Sequence, residues 1–154
     1  MISKHISEKE ATKSITALRL GLANTPNGNA LANMKQLAEK IFEPLREHVG
    51  GPIKINSMYR SEALNKAIGG SSRSQHCQGN AMDLDDIYGY KTNKEMFDFI
   101  REKLDFDQLI YEFGNEENPD WVHVSYVDKE KNRNRVLKAV RDKGKTVYID
   151  ITNK

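Results

Sequence analysis

The sequence predicts an α+β fold in which N-terminal helices pack on a small, mostly antiparallel sheet. Three observations carry that expectation. Apolar residues at helical spacing behind cap signals dominate the first third of the chain. Short alternating segments dominate after Ile53, and the C-terminal ones read as a hairpin. At 154 residues the length is that of one domain, so a single unit over 1–154 is expected, with its core at about 30–127 and a basic hairpin at 135–151.

The elements follow in order. Ser7-x-x-Glu10 is a capping-box pattern, and Ala11, Ile15, Leu18 and Leu22 behind it predict a first helix, ended by the stretch holding Pro26 and Gly28. A second helix is predicted from about Ala30 to His48, with Met34, Leu37, Ile41 and Leu45 in its apolar stripe. Pro44 should kink it or end its regular part, and Gly50-Gly51-Pro52 is the stop. Ile53–Tyr59 reads as a strand, Ser61 as the cap of a short helix through Ile68, and Ala81–Asp85 as a short strand after a Gly/Ser-rich loop. Thr92-x-x-Glu95 opens a helix carrying Met96, Phe99, Ile100 and Leu104. Gln108–Phe113 and Trp121–Val127 are two further strands, and the tail folds back around Asp142–Lys145.

Composition excludes several classes of function. Lys+Arg 24 against Asp+Glu 22 leaves +2, too little for a single-sign field that would bind nucleic acid or a membrane surface. One cysteine, Cys77, excludes an internal disulfide framework. No stretch approaches the roughly 18 apolar residues of a membrane span, and no apolar segment follows the first lysines, so neither membrane insertion nor a secretory signal is expected. The near-neutral sum hides two runs. Asp128–Lys145 holds eight Lys/Arg and three Asp/Glu, and is expected to be a solvated face. Asp105–Asp120 holds six acidic residues and no Lys/Arg, and leads into Trp121 and His123.

The chemically capable residues gather in three segments: Ser57–Ser61, Ser74–Asp83 and Asp120–Ser125. Gly79 permits a turn between His76 and Asp83. Strand alternation puts Asp83 on one face of its strand, and Trp121, His123 and Ser125 on one face of theirs. If the strands pair with matching faces, His76, Asp83 and His123 meet. Two imidazoles and one carboxylate leave a fourth position open, the layout of a catalytic zinc site. Asp120, three residues before His123, could act there as general base and then acid, shielded by Trp121. Arg60 could hold a substrate carboxylate or a developing oxyanion. Taken singly, each residue has a plainer reading: Arg60 as an ion-pair partner, Asp120 as a turn residue, Glu112 as an exposed position on an edge strand. A Cys77–His123 nucleophilic pair is disfavoured because adjacent side chains on extended backbone diverge, leaving Cys77 structural. A serine triad from Ser74 or Ser125 lacks a nucleophile elbow.

Taken together, Ser-x-His-x-x-Gly-x-Ala-x-Asp, then Asp-x-x-His about 40 residues on, with Tyr-Arg-Ser upstream, resembles the zinc D-Ala-D-Ala carboxypeptidase family. That family includes D-Ala-D-Ala dipeptidases and phage L-alanyl-D-glutamate endolysins, and shares its fold with the hedgehog signalling domain. The resemblance spans about Ala30 to Tyr126. It implies Zn2+ held by His76, Asp83 and His123, an acid/base role for Asp120, a substrate- or oxyanion-binding role for Arg60, and Ser74 in the substrate pocket. It implies a peptidase that cuts peptidoglycan stem peptides, as a D,D-carboxypeptidase or an endolysin-type endopeptidase, with zinc-bound water as nucleophile. Some members carry Glu where this chain has Asp120, and the polar tract Gly114–Pro119 leaves Glu112 as a rival base. The alternative is a non-catalytic, hedgehog-like zinc or cell-wall binding module, against which stand the intact ligand set and Asp120. A nuclease is disfavoured because the acidic run would repel phosphate. The expected partner is a peptidoglycan peptide, without nucleic acid or membrane, for a monomer made in the cytoplasm. Release by phage lysis would bring it to the wall.

Overall fold

A six-stranded sheet in the order β1-β2-β4-β3-β5-β6 organises the chain. The computed structural model describes residues 1–154, with β1 at Lys54–Ser57, β2 at Ala81–Asp85, β3 at Gln108–Glu112, β4 at Trp121–Ser125, β5 at Arg135–Asp142 and β6 at Lys145–Asp150. Every pairing is antiparallel except β3 with β5. The α+β class and the mostly antiparallel sheet are therefore as the sequence predicts. No helix is long and apolar enough to cross a membrane.

One face of the sheet is covered by helices. Helix α3 (Gly28–Leu37), a π-helical stretch (Ala38–Phe42) and α4 (Glu43–Val49) run on without a break. Pro44 cannot donate a hydrogen bond, and its ring crowds the carbonyl one turn back. The widened turn before it, in which the Glu43 N–H reaches the Ala38 carbonyl, lets the helix pass Pro44 instead of stopping there. Met34, Leu37, Ile41 and Leu45 from this rod are fully buried with Met82, Leu84, Val122, Val124 and Leu109 in a core cluster of 25 residues. A later helix (Asn93–Lys103), closed at its start by the Thr92/Glu95 capping box, adds Met96, Phe97 and Ile100.

Alternation along the strands then fixes what the other face carries. Met82 and Leu84 face the core, so Asp83 faces away from it; Val122 and Val124 face the core, so His123 faces away. On β3 and β5 the same parity sends Ile110, Glu112, Leu137, Ala139 and Arg141 to the side away from the core helices.

The predicted first helix is corrected. It is two short pieces, α1 (Glu8–Ala11) and α2 (Ile15–Leu20), because Ser14 caps a new helix by accepting from the Ala17 N–H. Ile15, Leu18 and Leu20 are exposed rather than forming a buried stripe. The C-terminal hairpin forms as expected, and its two turn residues, Lys143 and Gly144, both have positive φ (51° and 79°), as a tight two-residue turn requires.

Between the Gly/Ser-rich loop and β2, the structure inserts a 3-10 turn (Gln75–Gln78) where the sequence suggests only loop. Gly79 ends it at φ 77°, and a Cβ there would lie 2.4 Å from the Ala30 carbonyl oxygen. Gly79→Ala should therefore cost about 2–4 kcal/mol, from the left-handed backbone and the clash combined. Chemical denaturation is the check.

Candidate metal centre and its cleft

Asp83 on β2 lies directly opposite His123 on β4 in the strand register. His123 Nδ1 is 2.8 Å from Asp83 Oδ1, and His76 Nε2 is 3.3 Å from Asp83 Oδ2. The two imidazoles meet edge to face with centroids 5.3 Å apart. The sequence-predicted trio is thus brought together at one point.

His76 is held over the sheet by its turn. Ser74 caps the turn, accepting from the His76 N–H, and the Arg60 N–H donates to the His76 carbonyl. The ring is oriented too: His76 Nδ1 lies 2.8 Å from the Met58 carbonyl, which can only accept. The Nδ1 proton is therefore committed, and Nε2 presents its lone pair to the cleft, as in metal-ligating histidines oriented by a backbone carbonyl. Gln75 Nε2 donates to Asp107, which is 1% exposed and also takes three N–H groups of Arg133. Burial works against the Asp107 carboxylate, but these bonds hold its pKa below the usual range. Asp107→Ala would free both Gln75 and Arg133. We expect a loss of about 2 kcal/mol in stability and a roughly tenfold weaker metal affinity, measured by denaturation and by competition with a chelator.

Burial would raise the Asp83 carboxyl, yet the hydrogen bonds and charges of His123 and His76 hold it far below the ordinary carboxylate range. Burial would lower the His123 pKa, yet Asp83 raises it. A carboxylate kept ionised between two imidazoles suits a cation. The ligating atoms of the three residues lie within 4.8 Å of one another. The 3.3 Å from His76 to Asp83 Oδ2 matches the roughly 3.3 Å edge of a tetrahedron with zinc–ligand bonds of about 2.05 Å, while the 2.8 Å from His123 to Asp83 Oδ1 is a hydrogen-bond distance. The donor set fits zinc, with three protein ligands and an open fourth position.

The cleft around this trio measures about 760 Å³, and Arg60 and Ser74 line it as expected. Asp120 does not. Its side chain is exposed and lines a separate recess with Asp85 and Asp86. Three positions along an extended chain point to opposite faces, so a residue three before His123 turns away from it. Glu112 occupies the cleft instead. The reading of Glu112 as exposed on an edge strand is corrected: β3 lies between β4 and β5, and Glu112 is 7% exposed. Burial, with the Asp83 charge adding to it, pushes its pKa up to about 7 against the pull of His123.

Two further expectations change. The acidic run does not form the approach to the site, because Asp107 is buried against Arg133 and Glu112 is the one acidic residue of the run that lines the cleft. The basic hairpin is not merely a solvated face, since Leu137, Arg141 and Tyr148 line the cleft. The Tyr148 hydroxyl is raised by partial burial and by the charges of Glu112 and Asp83. Cys77 stays structural: partial burial raises its thiol pKa, which leaves little thiolate.

A metal centre with an open position and a buried, raised carboxylic acid beside it is the equipment of a metal-dependent hydrolase. Residues 4–125 match the model of the family described as peptidase M15, and the chain belongs to that family of zinc peptidases. No curated protein matches the sequence. With the acidic approach gone, it is family membership rather than charge repulsion that speaks against a nuclease.

Proposed function

We propose that the protein hydrolyses a peptide bond of peptidoglycan stem peptides, with zinc held by His76, Asp83 and His123 and with Glu112 as the acid/base residue. The observation that carries this reading is the placement of Glu112, a buried carboxyl with a pKa of about 7, in the same cleft as the His–Asp–His group. When bound, zinc supplies a Lewis acid that polarises the scissile carbonyl and makes water a nucleophile at neutral pH. Glu112 takes the proton from the attacking water and passes it to the leaving amine. A carboxyl near pH 7 suits both halves of that transfer. Arg60 binds a substrate carboxylate at one end of the cleft, and Ser74 keeps the His76 turn in place. The substrate class is supported by the motif resemblance from Ser74 to Asp83 and from Asp120 to His123.

Purified peptidoglycan incubated with zinc-loaded protein and analysed by mass spectrometry tests the proposal. New amine termini within or at the end of the stem peptide are expected. Their absence, with stoichiometric zinc confirmed, would sink it and favour a binding module.

A further inference from the structure

Four arginines line the cleft, and only Arg133 has an acidic partner, Asp107. Arg60, Arg73 and Arg141 form no salt bridge. The carboxylates inside the cleft, Asp83 and Glu112, are engaged by the two histidines and by burial. All three arginines line the cleft without an acidic partner; Arg60 Nη1 donates to Asn65 Oδ1, and the Arg141 guanidinium has only the Phe113 ring beneath it.

They sit on two flanks. Arg60 follows β1, and Arg73 precedes the His76 turn, on the β1–β2 side of the metal ligands. Arg141 lies on β5, on the far side of β4 and β3. Three strand spacings separate β2 from β5, or about 14 Å, the length of roughly four residues of extended peptide.

Arg141 is also held in place. Its guanidinium lies over the Phe113 ring at 4.6 Å from the centroid, and that ring tilts against Trp121 at 5.5 Å. Phe113 adopts φ 56°, an uncommon backbone for a bulky residue, while its N–H bonds the Ala139 carbonyl on β5. The strained residue thus presents its ring as a shelf for an exposed arginine, a placement that strain at binding sites commonly serves. The hairpin that carries Arg141 lies outside residues 4–125, the part matched by the family.

We propose that Arg141 binds a carboxylate of the peptide substrate on the flank opposite Arg60, so that the enzyme prefers carboxylated over amidated stem peptides. The inference rests on the peptidase reading above and names a specificity residue for it. The bidentate geometry of Arg with a carboxylate supplies the discrimination, since a carboxamide keeps the shape and loses the charge.

The test uses soluble stem peptides in which each carboxylate is converted to a carboxamide, one at a time. In the parent protein, amidation at one position should lower kcat/KM at least tenfold, chiefly through KM. In Arg141→Gln the same amidation should change kcat/KM less than twofold, with Arg141→Lys in between. Equal discrimination by parent and Arg141→Gln at every position would overturn the inference. Binding of the same peptide pair to zinc-loaded Glu112→Gln, by calorimetry, separates the two claims. If the parent cuts no peptide, the activity fails. An acid-over-amide Kd ratio that disappears when Arg141→Gln is added still supports the Arg141 site, and an unchanged ratio removes it.

Discussion

Glu112→Gln is expected to abolish turnover, by about a thousandfold or more, while the protein keeps its zinc and becomes more stable without it. The first effect follows from removing the cleft carboxyl whose pKa of about 7 suits it to take and return a proton. The second follows from linkage. An ordinary glutamate titrates near 4.5, whereas Glu112 in the fold titrates near 7. Between these values the folded protein binds a proton that the unfolded chain has lost, so this residue makes stability fall as pH rises through that window. Above pH 7 the full cost is present, at most about 3 kcal/mol for a shift of that size. Glutamine has the shape and no charge to desolvate. Thermal denaturation of metal-free Glu112→Gln at pH 8 should therefore give a higher Tm than the parent, and the gap should narrow at pH 5. A lower Tm at both pH values would show that the carboxylate is structural.

Asp83→Ala carries the other large effect, and its pH dependence runs the opposite way. Removing the carboxylate shared by both imidazoles should cut bound zinc to under a tenth of an equivalent after dialysis, as read by elemental analysis, with activity lost alongside. In the metal-free protein, Asp83 is held below its ordinary range and His123 above its own. The depressed carboxyl contributes stability above its unfolded value, and loses it as pH falls through its folded one. The raised imidazole contributes stability below its unfolded value, about 6.5, and loses it as pH rises through its folded one. The pair is therefore worth most between about pH 4 and 6.5, and Asp83→Ala should be most destabilising there, by about 2 kcal/mol, and less so at pH 9. A destabilisation that does not vary with pH would mean the loss is one of packing. Stoichiometric zinc in the variant would mean the metal lies elsewhere.

Much of this centre is legible in the amino-acid sequence alone. The alternation Ala81-Met-Asp83-Leu and Trp121-Val-His123-Val states which residues face the core, and that is enough to put Asp83 and His123 on one surface once their strands pair. Gly79 likewise announces the turn between His76 and Asp83, and Ser7 and Ser61 the helices they cap. What stays hidden depends on pairings distant in sequence. Glu112 reads as solvent-exposed until β5 is known to lie parallel beside β3, and no local pattern declares that register. The same docking converts a hairpin rich in lysine and arginine into a wall of the cleft. Asp120 misleads for a different reason. Three-residue spacing to a ligand places two side chains together on a helix, while on the extended chain entering β4 it separates them. The first helix fails locally, because periodic apolar residues say nothing against a second cap at Ser14.

In the proposed reaction the His–Asp–His group and Glu112 work together on a peptide bond. Release of new amine termini from peptidoglycan by zinc-loaded parent, Glu112→Gln and Asp120→Asn, measured side by side at equal zinc content, tests it most directly. Parent and Asp120→Asn should release comparable amounts, and Glu112→Gln under about a thousandth as much. Full activity in Glu112→Gln with none in Asp120→Asn would contradict it.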